Sequence, residues 1–245
     1  MVTFFEVLLM LASRFNYRRL LLLASLCLLP SAVIAGGITL NATRVIYPQE
    51  AKQLTVSVRN TADKSTFLVQ SWVENSDGHK TRDFIITPPL YTSAPNDENL
   101  LRLIFSGQSL PVDRESLYYL NVKGVPSVDK EAMENQNALV LAAITRIKMF
   151  VRPAGLSPSA DDAPQRLRFS RTEGKLKITN PTPYYLTLTD INVGKQELEP
   201  IMVSPLSDAF LDVTGQGDRV SYSSINDYGA TTPPREVSIH SSHQR

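Results

Sequence analysis

The sequence predicts an all-β protein made of two β-sandwich domains, and three observations predict it. From residue 36 onward, short runs that alternate apolar and polar residues are separated by turn residues, the pattern of half-buried strands. Helical periodicity is scarce: only "DKEAMENQNA", residues 129–138, has a helix-forming composition, and its polarity fits a solvated loop better. A break in composition at "AGLSPSADDAPQ", residues 154–165, divides the runs into two series, each of about 100 residues, the usual sandwich size. The expected domains are therefore residues 36–155 and 156–245.

The first 35 residues read as a targeting segment. Arg14, Arg18 and Arg19 precede an apolar run at 20–29, and Pro30 with small residues leads to cleavage after Ala35. The run is too short for a comfortable membrane span, so export without stable membrane insertion is expected. Cys27, the only cysteine, lies inside this run behind Leu26, which argues against lipid attachment and leaves the exported part without thiol chemistry. Without Arg14, Arg18, Arg19 and Glu6, the 25 cations and 24 anions fall to 22 and 23, a net charge of −1. Nucleic-acid binding by bulk charge is not suggested.

In the first domain "QLTVSVRN" (53–60) turns Leu54, Val56 and Val58 inward, and "FLVQSWVE" (67–74) alternates again around Trp72. With a polar turn between them, these two read as a hairpin. "ENLLRLIFS" (98–106) and "SLYYLNVKGVP" (116–126) follow, and "ALVLAAITRIKMFV" (138–151) is the longest run. The second domain offers runs at 167–171, 175–180, 184–193, 199–204, 208–213 and 220–227. Its tail carries one more short run, 237–239, behind two prolines that oppose its pairing.

No catalytic constellation is present. His79 sits in a turn, His240 and His243 in the tail, the serines lack a neighbouring base or glycine elbow, and phosphate-binding glycine motifs are absent. No enzyme, metal or cofactor is expected. The conspicuous charges are those embedded in strands: Arg44 between apolar neighbours, and Arg146, Lys148 and Arg152 on one face of the longest run. Such cations need partners. They either pair internally or capture the carboxylate of another molecule, a charge-assisted contact.

Five motifs, in order, extend the reading. "NATRVIYP" (41–48), "LPVDRESLYYLNVKGVP" (110–126), "ITRIKMFVRP" (144–153), "NPTPYYLTL" (180–188) and "INDYG" (225–229) resemble the signatures of periplasmic pilus-assembly chaperones, the PapD-like family. The resemblance implies two immunoglobulin-like sandwiches in an L or boomerang arrangement with a cleft between them. It implies a non-enzymatic protein of the periplasm that caps pilus subunits by donor-strand complementation and delivers them to an outer-membrane usher. Carried over residue by residue, Leu139, Leu141 and Ala143 are the donor side chains, with Val140, Ala142 and Ile144 packing into the protein's own first domain. Arg44 and Lys148 match the cations that hold the subunit's terminal carboxylate. Glu115, Arg152 and Asp227 match a structural ion network between the domains, and Arg146 is left solvated or internally paired. The cysteine-free loop before the donor strand resembles the short-loop branch of the family. The competing expectation is an exported structural or adhesive pilus component, against which stand the two-domain plan and the missing cysteine pair.

Overall fold

The computed structural model describes residues 36–128 and 140–241. The targeting segment, the polar loop 129–138, Leu139 and the last four residues, His243 among them, lie outside that range. Among the described residues no helix is long and apolar enough to cross a membrane.

The first sandwich is built from β1 (Ile38–Leu40), β2 (Arg44–Pro48), β3 (Leu54–Asn60), β4 (Phe67–Asn75), β5 (Phe84–Thr87), β6 (Leu90–Ser93), β7 (Glu98–Phe105), β8 (Ser116–Pro126) and β9 (Ala143–Arg152). One sheet has the order β1-β3-β7-β5 and the other β2-β9-β8-β4-β6. Alternate residues of each strand meet between the sheets: Val56, Val58, Val69, Val73, Leu101, Leu103, Leu120, Val122, Ile147 and Met149 are all buried in one core. Tyr47 crosses that core edge-on to Phe84. Its hydroxyl donates to Ala51 O and accepts from the Phe105 amide, so the aromatic body is buried and its polar end satisfied.

The expected hairpin between β3 and β4 does not form, because the two strands belong to different sheets. Residues 61–66 arch from one layer to the other, and buried Asn60 holds the arch. Its Nδ2 donates to Ser65 O, Ser93 O and Ala94 O at 2.8, 3.2 and 2.8 Å, while Oδ1 accepts the Ala62 amide at 3.0 Å. The second domain repeats the device: Asn180 Nδ2 reaches Tyr184 O and Ser204 O at 2.8 and 2.9 Å, and Oδ1 accepts the Thr182 amide at 3.0 Å. Replacing Asn60 with alanine strands the buried Ser93 carbonyl and the part-buried carbonyls of Ser65 and Ala94. It is expected to cost about 2–4 kcal/mol, measured as a lowered urea midpoint at unchanged slope.

The chain also changes sheets between β1 and β2. β1 pairs with β3 in one layer, whereas β2 runs parallel to β9 in the other, from the Arg44–Lys148 rung to the Pro48–Arg152 rung. β8 pairs with β9 from Ala143 to Val151. Among the described residues, therefore, 143–147 of β9 have a strand on one side only.

The second sandwich contains β10 (Arg168–Thr172), β11 (Lys175–Asn180), β12 (Leu186–Val193), β13 (Gln196–Leu198), β14 (Ile201–Val203), β15 (Ser207–Asp212), β16 (Arg219–Ser224), β17 (Arg235–Ser238) and β18 (His240–Ser241). Its sheets have the orders β15-β11-β10-β18 and β13-β12-β16-β17, with β14 also on β12. They enclose a separate core around Phe169, Ile178, Leu188, Ile191 and Tyr222. The proline-bearing tail does pair: β17 lies antiparallel to β16 immediately after the two prolines, and β18 lies parallel to β10. The segment read as a linker is partly structured too, since it includes a 3-10 helix at Ala163–Arg166 with Ala163 buried.

Candidate functional site

β9 passes from core to free edge along its own length. Ile147, Met149 and Val151 point into the first core, and the same face continues toward the start of β9 as Thr145 and Ala143 and, ahead of the strand, Leu141. These border an apolar pocket with Ile38, Phe67, Val122 and Gly124. Gly124 is required there, because a Cβ would come within 2.7 Å of Ile38 Cγ1. Leu141 is 71% exposed. The expectation that Val140, Ala142 and Ile144 pack into the first domain is overturned: all three are exposed, Ile144 to 54%. The alternation fixed by buried Ile147 and Met149 places the even-numbered residues on the outer face of the sheet.

On that outer face the cations diverge. Arg146 pairs with Glu74 at 3.1 Å and lies over the Tyr119 ring, which makes it an internally paired cation. Lys148 and Arg44 face each other on the first rung shared by β9 and β2. Both are half-buried, and among the described residues neither has a carboxylate at ion-pair distance. Their hydrogen bonds go to neutral acceptors of the second sandwich: Arg44 Nη1 to Ile225 O at 3.1 Å and Lys148 Nζ to Thr187 Oγ1 at 3.3 Å. Among the described residues, Arg44 Nε is buried without a partner. Burial lowers the pKa of Arg44, partly offset by Asp227 and Glu115. Burial also lowers that of Lys148, and the neighbouring Arg44 charge adds to the effect. Two adjacent, partly desolvated positive charges with spare donors make this rung the candidate site for an anion.

Arg152, at the far end of β9, is fully engaged. Nε donates to Glu115 at 2.7 Å, and Nη1 and Nη2 grip the two Asp227 oxygens at 2.6 and 2.7 Å. Glu115 also accepts the Tyr185 amide at 2.8 Å. Burial opposes the charge on Arg152, but Asp227 and Glu115 outweigh it and raise its pKa. For buried Glu115, desolvation outweighs Arg152 and raises the carboxyl pKa. The three residues bind the first sandwich to the second, and Phe150 stacked on Tyr185 extends the contact. Gly229 completes it: with φ at +82°, a Cβ there would stand 2.0 Å from Thr43 Oγ1, so only glycine fits.

Two family profiles match this chain. One, described as "Pili and flagellar-assembly chaperone, PapD N-terminal domain", spans residues 37–157. The other, "Pili assembly chaperone PapD, C-terminal domain", spans residues 162–236. The chain belongs to the PapD-like family of pilus-assembly chaperones. A probable fimbrial chaperone, SfmC of Escherichia coli K12, is 45% identical over 221 residues, covering 90% of this chain and 96% of its own. The chaperone protein FimC of the same strain is 45% identical over 218 residues, covering 86% and 90%. Among solved structures, the periplasmic chaperone SfaE aligns with a TM-score of 0.71 at 43% identity, over 83% of this chain and 99% of its own. A chain from the complex of the Salmonella enterica SafA pilin with the SafB chaperone aligns at 0.76 and 31% identity, over 86% and 100%.

In this PapD-like chaperone the structure brings together Arg44 with Lys148, and Glu115 with Arg152 and Asp227. It places Ala143 on the free edge and Leu141 two residues ahead of β9, while Leu139 lies outside the described residues. Sequence reasoning missed Thr187 and Ile225. Both stand inside the motifs already quoted, yet nothing in a threonine of a strand or in a backbone carbonyl marks an acceptor for a cation 39 or 181 residues away.

Proposed function

We propose that this chain is a periplasmic chaperone that captures fimbrial subunits by lending them the free edge of β9 and passes them to an outer-membrane usher. The observation that carries this reading is that, among the described residues, the 143–147 edge is unpaired and ends at two cations without an anion. An unpaired edge is a template for another chain's strand. The vacant line beside 143–147 is the backward extension of β2, which begins at Arg44. A strand laid there parallel to β9 would finish beside Arg44 and Lys148, so a subunit strand that ends the subunit chain would bring its carboxylate to them. The cations would then set the register, and main-chain bonds would provide pairing that tolerates many subunit sequences.

Leu139, Leu141 and Ala143 are assigned as the side chains that enter the subunit. Fully burying a leucine there would contribute about 1.5–3 kcal/mol; Ala143 suits a shallower pocket. Residues 36–155 and 156–245 are taken as the two domains, with Glu115, Arg152 and Asp227 fixing one against the other. Export by residues 1–35 would deliver the protein to the periplasm. The names of the relatives SfmC and FimC agree with this role, as does the complex of the SafA pilin with SafB. Non-enzymatic action follows, since strand pairing and ion capture need no chemical step.

Co-expression in the periplasm with a fimbrial subunit from the same gene cluster tests the reading. The wild-type chain should purify as a one-to-one complex. Leu141→Glu, at an exposed position, should yield folded but subunit-free protein, because a carboxylate would have to enter an apolar groove. An undiminished complex with Leu141→Glu would remove the donor role.

A further inference from the structure

Lys148 and Arg44 are like charges on one rung, and neither β2 nor β9 supplies an acceptor that holds them. The second sandwich does, through one rung of its own. Thr187, on β12, is buried, and its Oγ1 is the one hydrogen-bond partner of Lys148 Nζ among the described residues. Ile225, one residue beyond β16, donates its amide to Thr187 O at 3.0 Å, and its own carbonyl accepts Arg44 Nη1 at 3.1 Å. A charged rung of the first sandwich thus faces a neutral rung of the second. Each cation meets one neutral oxygen, and the two oxygens belong to residues joined by a backbone hydrogen bond.

We propose that Thr187 is a positioning residue of the carboxylate clamp: its hydroxyl, held on a rung with Ile225, fixes the Lys148 ammonium beside Arg44 without neutralising it. This rests on the reading of Arg44 and Lys148 as a clamp and adds what prepares that clamp. A flexible lysine loses rotamer freedom on binding an anion, and an acceptor that orders it beforehand reduces that loss. The acceptor has to be neutral. A carboxylate in place of Thr187 would pair with Lys148 and compete with the incoming anion, whereas a hydroxyl leaves the positive charge and the remaining ammonium donors available. The second domain would accordingly contribute to carboxylate selectivity through residues that need not touch the subunit.

The test uses the full exported chain, its Thr187→Val and Thr187→Ser variants, and a synthetic peptide of the last strand of a co-expressed fimbrial subunit, in free-acid and amidated forms. Valine keeps the shape and the backbone bond to Ile225 while deleting Oγ1. Thr187→Val should bind the acid about tenfold more weakly than wild type and bind the amide as wild type does. Thr187→Ser should restore the wild-type acid-to-amide ratio. Equal weakening of acid and amide by Thr187→Val would show a merely structural role and overturn the proposal, and so would an unchanged acid affinity. If the wild-type chain and Lys148→Ala both bind acid and amide alike, the clamp itself is refuted, and the role of Thr187 with it.

Discussion

Lys148→Met is expected to lose a fimbrial subunit at least about 30-fold more readily than the wild-type chain, with Arg44→Ala behaving alike. Removing one side of a desolvated, hydrogen-bonded charge contact costs about 2–5 kcal/mol. Methionine keeps the lysine stem over the sheet, so packing is not the variable. The free variant should melt no lower than wild type. Burial followed by the Arg44 charge depresses the Lys148 pKa, so the unfolded chain binds the proton more strongly. Between that depressed value and the ordinary lysine value of about 10.4, this group makes stability rise with pH. Lys148→Met should flatten that rise, as thermal melts on the alkaline side, up to the ordinary lysine value, would show. A large fall in melting temperature at neutral pH, with subunit binding retained, would make Lys148 a structural cation instead.

Arg152→Ala is expected to have the largest effect on stability, about 3–5 kcal/mol. It leaves the Glu115 carboxylate almost wholly buried with, among the described residues, only the Tyr185 amide as a partner, and it releases Asp227 on the second sandwich. The pH dependence has a definite sign. Burial, opposed by Arg152, already raises the Glu115 pKa, and loss of the opposing cation raises it further. A carboxyl whose folded pKa lies above its unfolded value takes up protons on folding, so stability falls as pH rises through that window. The deficit of Arg152→Ala should therefore be smaller near pH 5 than near pH 8, and Glu115→Gln in the same chain should recover part of it. A deficit that does not vary with pH would mean that Glu115 is not the group left uncompensated.

The two-domain β plan was legible because Leu54, Val56 and Val58, or Leu101 and Leu103, alternate in the way that a half-buried strand requires. Arg44, Lys148 and Arg152 stood out as cations set in strands, whereas Glu115, Asp227 and the division of roles among the five were suggested only by the motifs around them. Geometry lay beyond the sequence in three places. A polar stretch such as 61–66 serves equally as a hairpin turn or as an arch between sheets, and what decides is the set of distant carbonyls gathered by Asn60. A segment apolar on both faces, such as 139–144, does not state which face is inward; Ile147 and Met149 settle it only once the core exists. Strands of three or four residues, β1, β5, β6 and β13 among them, are too short for periodicity to register. β1 matters most of these, because its departure to the other sheet is what leaves β9 with an open side.

Amide hydrogen exchange at residues 143–147, in the free chain and in its complex with a fimbrial subunit, tests strand lending most directly. In the free chain the amides of this stretch that point away from β8 have no strand to bond, and they should exchange quickly. In the complex, those same amides should become protected, with protection ending at the Arg44–Lys148 rung, where β2 already covers the edge. A stable complex in which residues 143–147 exchange as fast as in the free chain would contradict the account.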